Sequence, residues 1–178
     1  MLFRSLPRPV PKEKSKDTPA ASAVNSEEDE ADTSSPAMSA DDAKKRVAED
    51  AKEFFAVRNL SEAEVYFTKL PVEHHHLLID KLVTAALDKK EFDAHLVADL
   101  FARAVSKNFC SPATFEEGFT PNAEFLGDIA IDAPKAPQLF AIMLKGAGLD
   151  KNEERRTRIA EKSPDTRDKL LELLSSYS

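Results

Sequence analysis

The sequence predicts an all-α protein: a stack of antiparallel helical hairpins, about six to eight helices in all, behind a disordered N-terminal tail. Three observations lead there. From Ser39 to the C-terminal LLELL, apolar residues recur every three or four positions, the period of an amphipathic helix. No segment alternates apolar and polar residues over the length of a strand. The chain holds only four glycines in 178 residues, too few for the tight turns of a β-rich fold. Links between the helical segments are short, so neighbours in sequence pack antiparallel. No repeat of fixed period is visible, so any repetition is one of structure alone.

Residues 1–38 lack the helical pattern. They run from LPRPVPKEKSK through TPAASAV to SEEDEAD, with apolar groups too sparse to offset the entropy of ordering. A solvated spacer is expected, with docking of the Pro-rich part on an adaptor domain as the alternative. Ser26, followed by acidic residues, is a candidate phosphorylation site. MLFRSLPRPVPKEK breaks its apolar start with arginine and proline, which does not read as a signal peptide. The folded domain is expected over 39–178.

Ser39 is placed to cap the first helix, with Asp41 and Asp42 in its first turn favourable to the dipole. Val47, Ala51, Phe54 and Phe55 form its inner stripe, and Asn59 ends it. Ser61-Glu62-Ala63-Glu64 reads as a capping box for a short helix that buries Val65, Tyr66, Phe67 and Leu70. Pro71 stops that helix and starts the third, whose stripe is Leu78, Leu82, Val83 and Ala86. The fourth is the most regular: Phe92, Leu96, Val97, Leu100, Phe101, Ala104 and Val105. Ser111-Pro112 opens the fifth, which runs to about Asp128 with a kink expected near Gly118 and Pro121. Asp132 is expected to cap the sixth, with Pro134 in its first turn, Leu139, Phe140, Met143 and Leu144 inward, and Gly146 and Gly148 at its end. Ser163-Pro164 starts a last helix, and 151–161 leaves room for one more.

Composition bounds the function. Apolar residues make up 42% and charged residues 32%, with a net charge of −7. A nonspecific nucleic-acid binder is normally basic; an acidic protein suits a basic partner surface. The single cysteine, Cys110, permits no internal disulfide and fits a reducing compartment, so a cytoplasmic protein is expected. No stretch reaches the ~18 apolar residues of a membrane span.

The candidates for chemistry are weak. His74, His75 and His76 are consecutive, and consecutive helical side chains diverge by about 100°, so they do not converge on one ion. Cys110 stands near a helix N-terminus, which would lower its pKa, but no nucleophile motif surrounds it; a small semi-buried thiol is the plainer reading. No phosphate-binding glycine loop, H-E-x-x-H or G-x-S-x-G occurs, so neither an enzyme nor a cofactor is expected. Lys151, Arg155, Arg156 and Arg158 are interrupted by Glu153 and Glu154 and lack interleaved aromatics. They read as a solvated helix face, with weak RNA contact as the alternative.

The stretch GDIAIDAPKA (127–136) is different. Asp132 before Ala133-Pro134 reads as an N-cap. Asp128 would then fall in the last turn of the preceding helix, where a negative charge opposes the dipole. A local cost without a local gain points to function. With Ile129, Ala130 and Ile131 anchoring the link to the core, both carboxylates would stand outside as a rigid acidic knob for an Arg or Lys on a partner. They are too few for a good Ca²⁺ loop.

AEDAKEFFAVRNLSEAEVYFTKLP, LVADLFARAV and FEEGFTPNAEFLGDIAIDAPKAPQLFAIML occur in that order, and the set resembles the MI (MA-3) domain over about residues 45–148. The matching features are Phe54-Phe55, Glu62-Ala63, Gly118-Phe119, Asp128, and the D-x-P-x-A run Asp132-Ala133-Pro134-Lys135-Ala136. Such domains occur in the initiation factor 4 gamma scaffold and in the repressor programmed cell death protein four. This stretch looks closer to fungal scaffolds. The resemblance implies a HEAT-like stack of hairpins, and binding to the DEAD-box RNA helicase initiation factor 4A. It places the helicase contact on Asp128 and Asp132 and maps Pro134 onto the proline of the motif; Lys135 beside it is a further candidate partner contact. Support of cap-dependent translation initiation and sequestration of the helicase both remain open.

Overall fold

A computed structural model describes residues 37–176; the expected tail, apart from Ala37 and Met38, lies outside them. The described residues form nine α-helices and no β-sheet. They are α1 (Ala40–Val57), α2 (Leu60–Lys69), α3 (His75–Leu87), α4 (Glu91–Ser106), α5 (Pro112–Glu124), α6 (Leu126–Asp132), α7 (Ala136–Gly146), α8 (Glu153–Glu161) and α9 (Arg167–Ser175). Short 3₁₀ turns at Val72–His74 and Leu149–Lys151 lead into α3 and α8.

The hairpins are α1/α2, α3/α4, α5/α7 and α8/α9, with α6 inserted into the third. Alternate helices pack side by side: α1, α3, α5 and α8 in one layer, α2, α4, α7 and α9 in the other. This is a HEAT-like stack. The layers meet on one apolar core that includes Phe54, Phe67, Leu78, Leu82, Leu100 and Phe101. Phe101 meets the edges of Phe115 and Phe119, and Phe119 the edge of Phe140, so one aromatic chain links α4, α5 and α7.

Two glycines set the helix spacing. A Cβ on Gly118 would stand 2.6 Å from Ile79, so glycine there allows α5 to press on α3. A Cβ on Gly146 would fall on the backbone of Ala98, so α7 can lie directly against α4. Gly118 therefore marks a close approach; α5 runs through Gly118 and Pro121 and stops at Glu124, short of the end expected near Asp128.

Capping corrects several boundaries. Ser39 caps α1 as expected, accepting from the Asp42 amide at 3.1 Å. α1 ends with Arg58 in the left-handed region, φ 59°, and Asn59 opens α2. Its side chain accepts from the Ser61 and Glu62 amides, which removes the capping-box role expected of Ser61. An asparagine amide oxygen satisfies the same orphan N–H groups as a serine hydroxyl. Ser111 caps α5 as expected, accepting from the Thr114 amide at 3.2 Å. The last helix begins at Arg167, later than Ser163-Pro164; Ser163 is buried, its hydroxyl donating to the Ala123 carbonyl. Val65, Phe92 and Val105, expected inward, are exposed, and Phe55 and Leu96 are only partly buried.

Candidate protein-docking face

In an antiparallel stack, links within hairpins lie along one edge and links between hairpins along the other. Along the first edge, Lys89, Lys90 and Glu91 of the α3–α4 region share a cavity of about 340 Å³ with Ala133, Pro134 and Lys135. Arg58 crosses from the end of α1 to donate to Asp93 at 2.6 Å, with its guanidinium over the Phe92 ring. Along the second edge, His75 faces the Phe67 carbonyl at 2.7 Å and the Leu70 carbonyl at 2.9 Å through Nε2. Two carbonyl acceptors require that nitrogen to carry a proton. Nδ1 is then the acceptor, and the Cys110 thiol donates to it at 3.3 Å. Phe67 stacks on Phe109 beside them.

The Cys110–His75 pair was missed in the sequence because its members lie far apart in the chain. It is a packing contact. Burial pushes the Cys110 thiol up to about 12, the reverse of the helix-terminus effect expected, because desolvation of a thiolate outweighs the nearby dipole. His74 and His76 are partly buried. His74 Nε2 lies 2.9 Å from the Met38 carbonyl, and His76 lies 3.7 Å from Glu117. The three rings thus point to separate places. Among the described residues, no cluster of His, Cys, Asp or Glu could hold a metal.

The basic run of α8 is largely engaged within the fold. Glu116 on α5 receives Arg155 at 3.2 Å and Arg158 at 2.9 Å, and Arg156 donates to the Asp150 carbonyl at 3.3 Å. The two Glu116 contacts fasten the fourth hairpin to the third.

The GDIAIDAPKA segment departs most from expectation. Phe125 breaks the helix after α5, and α6 begins at Leu126. Asp128 therefore lies in the first turn of α6, where the dipole favours it. Asp132 is the last residue of α6 and not an N-cap. Lys135 takes the N-cap position of α7 without a side-chain cap, and Pro137, not Pro134, is its first-turn proline. A buried Leu126 fixes the inner face of α6, with Ile129 and Ala133 packed beside it. Ile131, expected as an anchor, is 77% exposed. Gly127 lies so close to Asp165 that a Cβ would stand 2.9 Å from its side chain. These contacts brace α6 against the core on one side and the α8–α9 link on the other.

Asp128, Asp132, Pro134 and Lys135 are all exposed on this braced segment. The carboxylates of Asp93, Glu64, Glu116 and Asp50 have cationic partners inside the fold. Among the described residues, Asp128 and Asp132 have none. Phe125, at the break, is a further exposed residue that sequence reasoning passed over. Asp128 and Asp132 are four residues apart within α6, which places them on one side of that helix, while Phe125 stands at the break before it.

A family model described as the MA3 domain matches residues 44–149, more than half of the chain. The chain belongs to the MA3 domain family. No solved structure matches it. The MA3 domain is a non-catalytic protein-interaction module of translation factors. Its matched span takes in α6 and the D-x-P-x-A run, so the candidate face belongs to the MA3 region itself. Among the described residues, no helix is long and apolar enough to cross a membrane.

Proposed function

We propose that this MA3 domain binds the DEAD-box RNA helicase initiation factor 4A through the outer face of α6 and the turn after it, and so supports cap-dependent translation initiation in the cytoplasm. Asp128 and Asp132 pair with basic side chains of the helicase, while Pro134 and Lys135 flank them. The observation that carries this reading is the pair of exposed carboxylates, without partners among the described residues, on a short helix braced against the core. Such a helix holds the backbone of both carboxylates in a fixed geometry, so little backbone freedom is lost on binding.

Contact with RNA through Lys151, Arg155, Arg156 and Arg158 has less support, because Glu116 already holds two of these arginines. Calorimetric titration with the helicase tests the main reading. Binding that weakens in Asp128→Asn and Asp132→Asn is expected; equal affinity for wild type and both variants at low salt overturns it. Addition of the chain to a translation extract then gives the sign. Stimulation fits support of initiation, and inhibition relieved by added helicase fits sequestration.

A further inference from the structure

The outer face of α6 carries more than charge. Ile131 is 77% exposed and Phe125 59%, whereas Phe54, Phe67, Phe101, Phe115, Phe119 and Phe140 are buried in the core. At ~100° per residue, Ile131 lies about 60° to one side of Asp128, and Asp132 about 40° to the other. The isoleucine and both carboxylates thus share one strip, and Phe125 stands one turn before Asp128. Since Leu126, Ile129 and Ala133 fasten the opposite side, the strip cannot turn inward without unpacking α6.

We infer that Ile131 and Phe125 are the apolar anchors of the docking face, and that the partner is a protein surface with an apolar socket rimmed by arginine or lysine. This rests on the reading of Asp128 and Asp132 as partner contacts and adds what those contacts need. Exposed ion pairs contribute little by themselves. Apolar anchors seated in a pocket carry much of an interface's affinity and exclude water around it. With water excluded, the neighbouring Asp–Arg or Asp–Lys pairs act at a lower dielectric and strengthen. The carboxylates beside Ile131 set the chemistry of the socket's rim, since an acidic or wholly apolar socket would leave them repelled or desolvated.

The test is calorimetric titration of the full chain with the DEAD-box initiation helicase at low and high salt. Ile131→Ser, Phe125→Ser and Asp128→Asn are compared with wild type. Val72→Ser serves as control, because Val72 is 68% exposed but lies on the opposite edge. Ile131→Ser and Phe125→Ser are each expected to weaken binding roughly tenfold, with the salt dependence of wild type. Asp128→Asn weakens binding and flattens the salt dependence, while Val72→Ser binds as wild type. Ile131→Met restores the affinity lost in Ile131→Ser, and a thermal midpoint measured for each variant separates lost contact from lost fold. If Asp128→Asn weakens binding while Ile131→Ser and Phe125→Ser do not, the anchors are overturned and the acidic contact stands. Equal weakening by Val72→Ser overturns them too. If wild type does not bind the helicase, the docking reading falls and the anchors with it.

Discussion

Where one hairpin passes to the next, at 70–74 and 107–111, polar groups turn inward and meet each other. His75 holds the carbonyls of Phe67 and Leu70 together, Cys110 donates to its other nitrogen, and Phe109 closes over Phe67. At the other edge, where each hairpin turns back within itself, the third hairpin inserts α6. There Asp128, Asp132, Phe125 and Ile131 all face outward. Polar groups hold the stack together at both edges, Arg58 and Asp93 doing so at the second of these, but only there does an inserted helix turn carboxylates and apolar side chains outward. The same body carries both, so substitutions at the two edges separate stability from binding.

The largest effect is expected at the holding edge. His75→Ala leaves two carbonyls without their donor and opens a cavity beside Phe67. An unsatisfied buried group costs about 1–3 kcal/mol, so the variant is expected to lose about 2–5 kcal/mol once the cavity is included. Denaturant unfolding reads the loss. Where the variant remains folded, helicase affinity should equal that of wild type; a comparable loss of affinity would erase the distinction between the edges.

At the presenting edge the pattern reverses. If Asp132 meets a basic side chain desolvated at the interface, its loss costs roughly 2–5 kcal/mol of binding. At about 1.4 kcal/mol per tenfold, Asp132→Asn is expected to bind on the order of thirty-fold or more weakly, with unfolding free energy no lower than wild type. Titration calorimetry paired with unfolding of the same sample checks both. A fall in stability without a fall in affinity would place Asp132 among the holding residues.

Why the holding edge was hard to read from sequence, and the body easy, follows from how each is encoded. The stripes Leu78–Leu82–Val83–Ala86 and Leu139–Phe140–Met143–Leu144 are local patterns, and every one of these residues is buried. The Cys110–His75 contact joins residues brought together only by hairpin stacking, and no periodicity announces it. The α6 segment was legible in its residues but not in its geometry. Asp before Ala-Pro satisfies the rule for an N-cap, yet Asp132 continues a helix that had already begun at Leu126. Phe125, in an otherwise helical pattern, gave no sign of the break. Ile131 then followed the wrong assignment inward. Gly118 and Gly146 have a role in helix contact across hairpins that no periodicity announces, and Gly146 also ends α7, as expected.

A smaller effect concerns reactivity at the holding edge. A thiol pushed up to about 12 by burial is almost wholly protonated near neutral pH, and the thiolate is the reactive form. Native Cys110 is expected to resist iodoacetamide near pH 8, while the denatured chain alkylates freely. The rate in increasing denaturant should track unfolding. Fast labelling of the native protein would show that the second edge opens and that the His75 contact does not hold it shut.

The smallest effect divides the two aspartates of the presenting edge from each other. Both face the same side of α6, so both substitutions should weaken helicase binding. Their effects on stability should carry opposite signs. Asp128 lies in the first turn, where its charge complements the positive end of the helix; Asp132 lies in the last, where its charge opposes the negative end. Each effect is worth about 0.3–1 kcal/mol at low ionic strength. Asp128→Asn should therefore lower the unfolding free energy slightly and Asp132→Asn raise it slightly. The difference should shrink as salt screens both charges. Because a helix this short has a weak dipole, the lower end of that range is the expected one. The measurement is denaturant unfolding of wild type and both variants at low and at high salt. The reversed pattern, a rise for Asp128→Asn and a fall for Asp132→Asn, would mean that α6 is not the separate helix described here, and that Asp132 caps α7 after all.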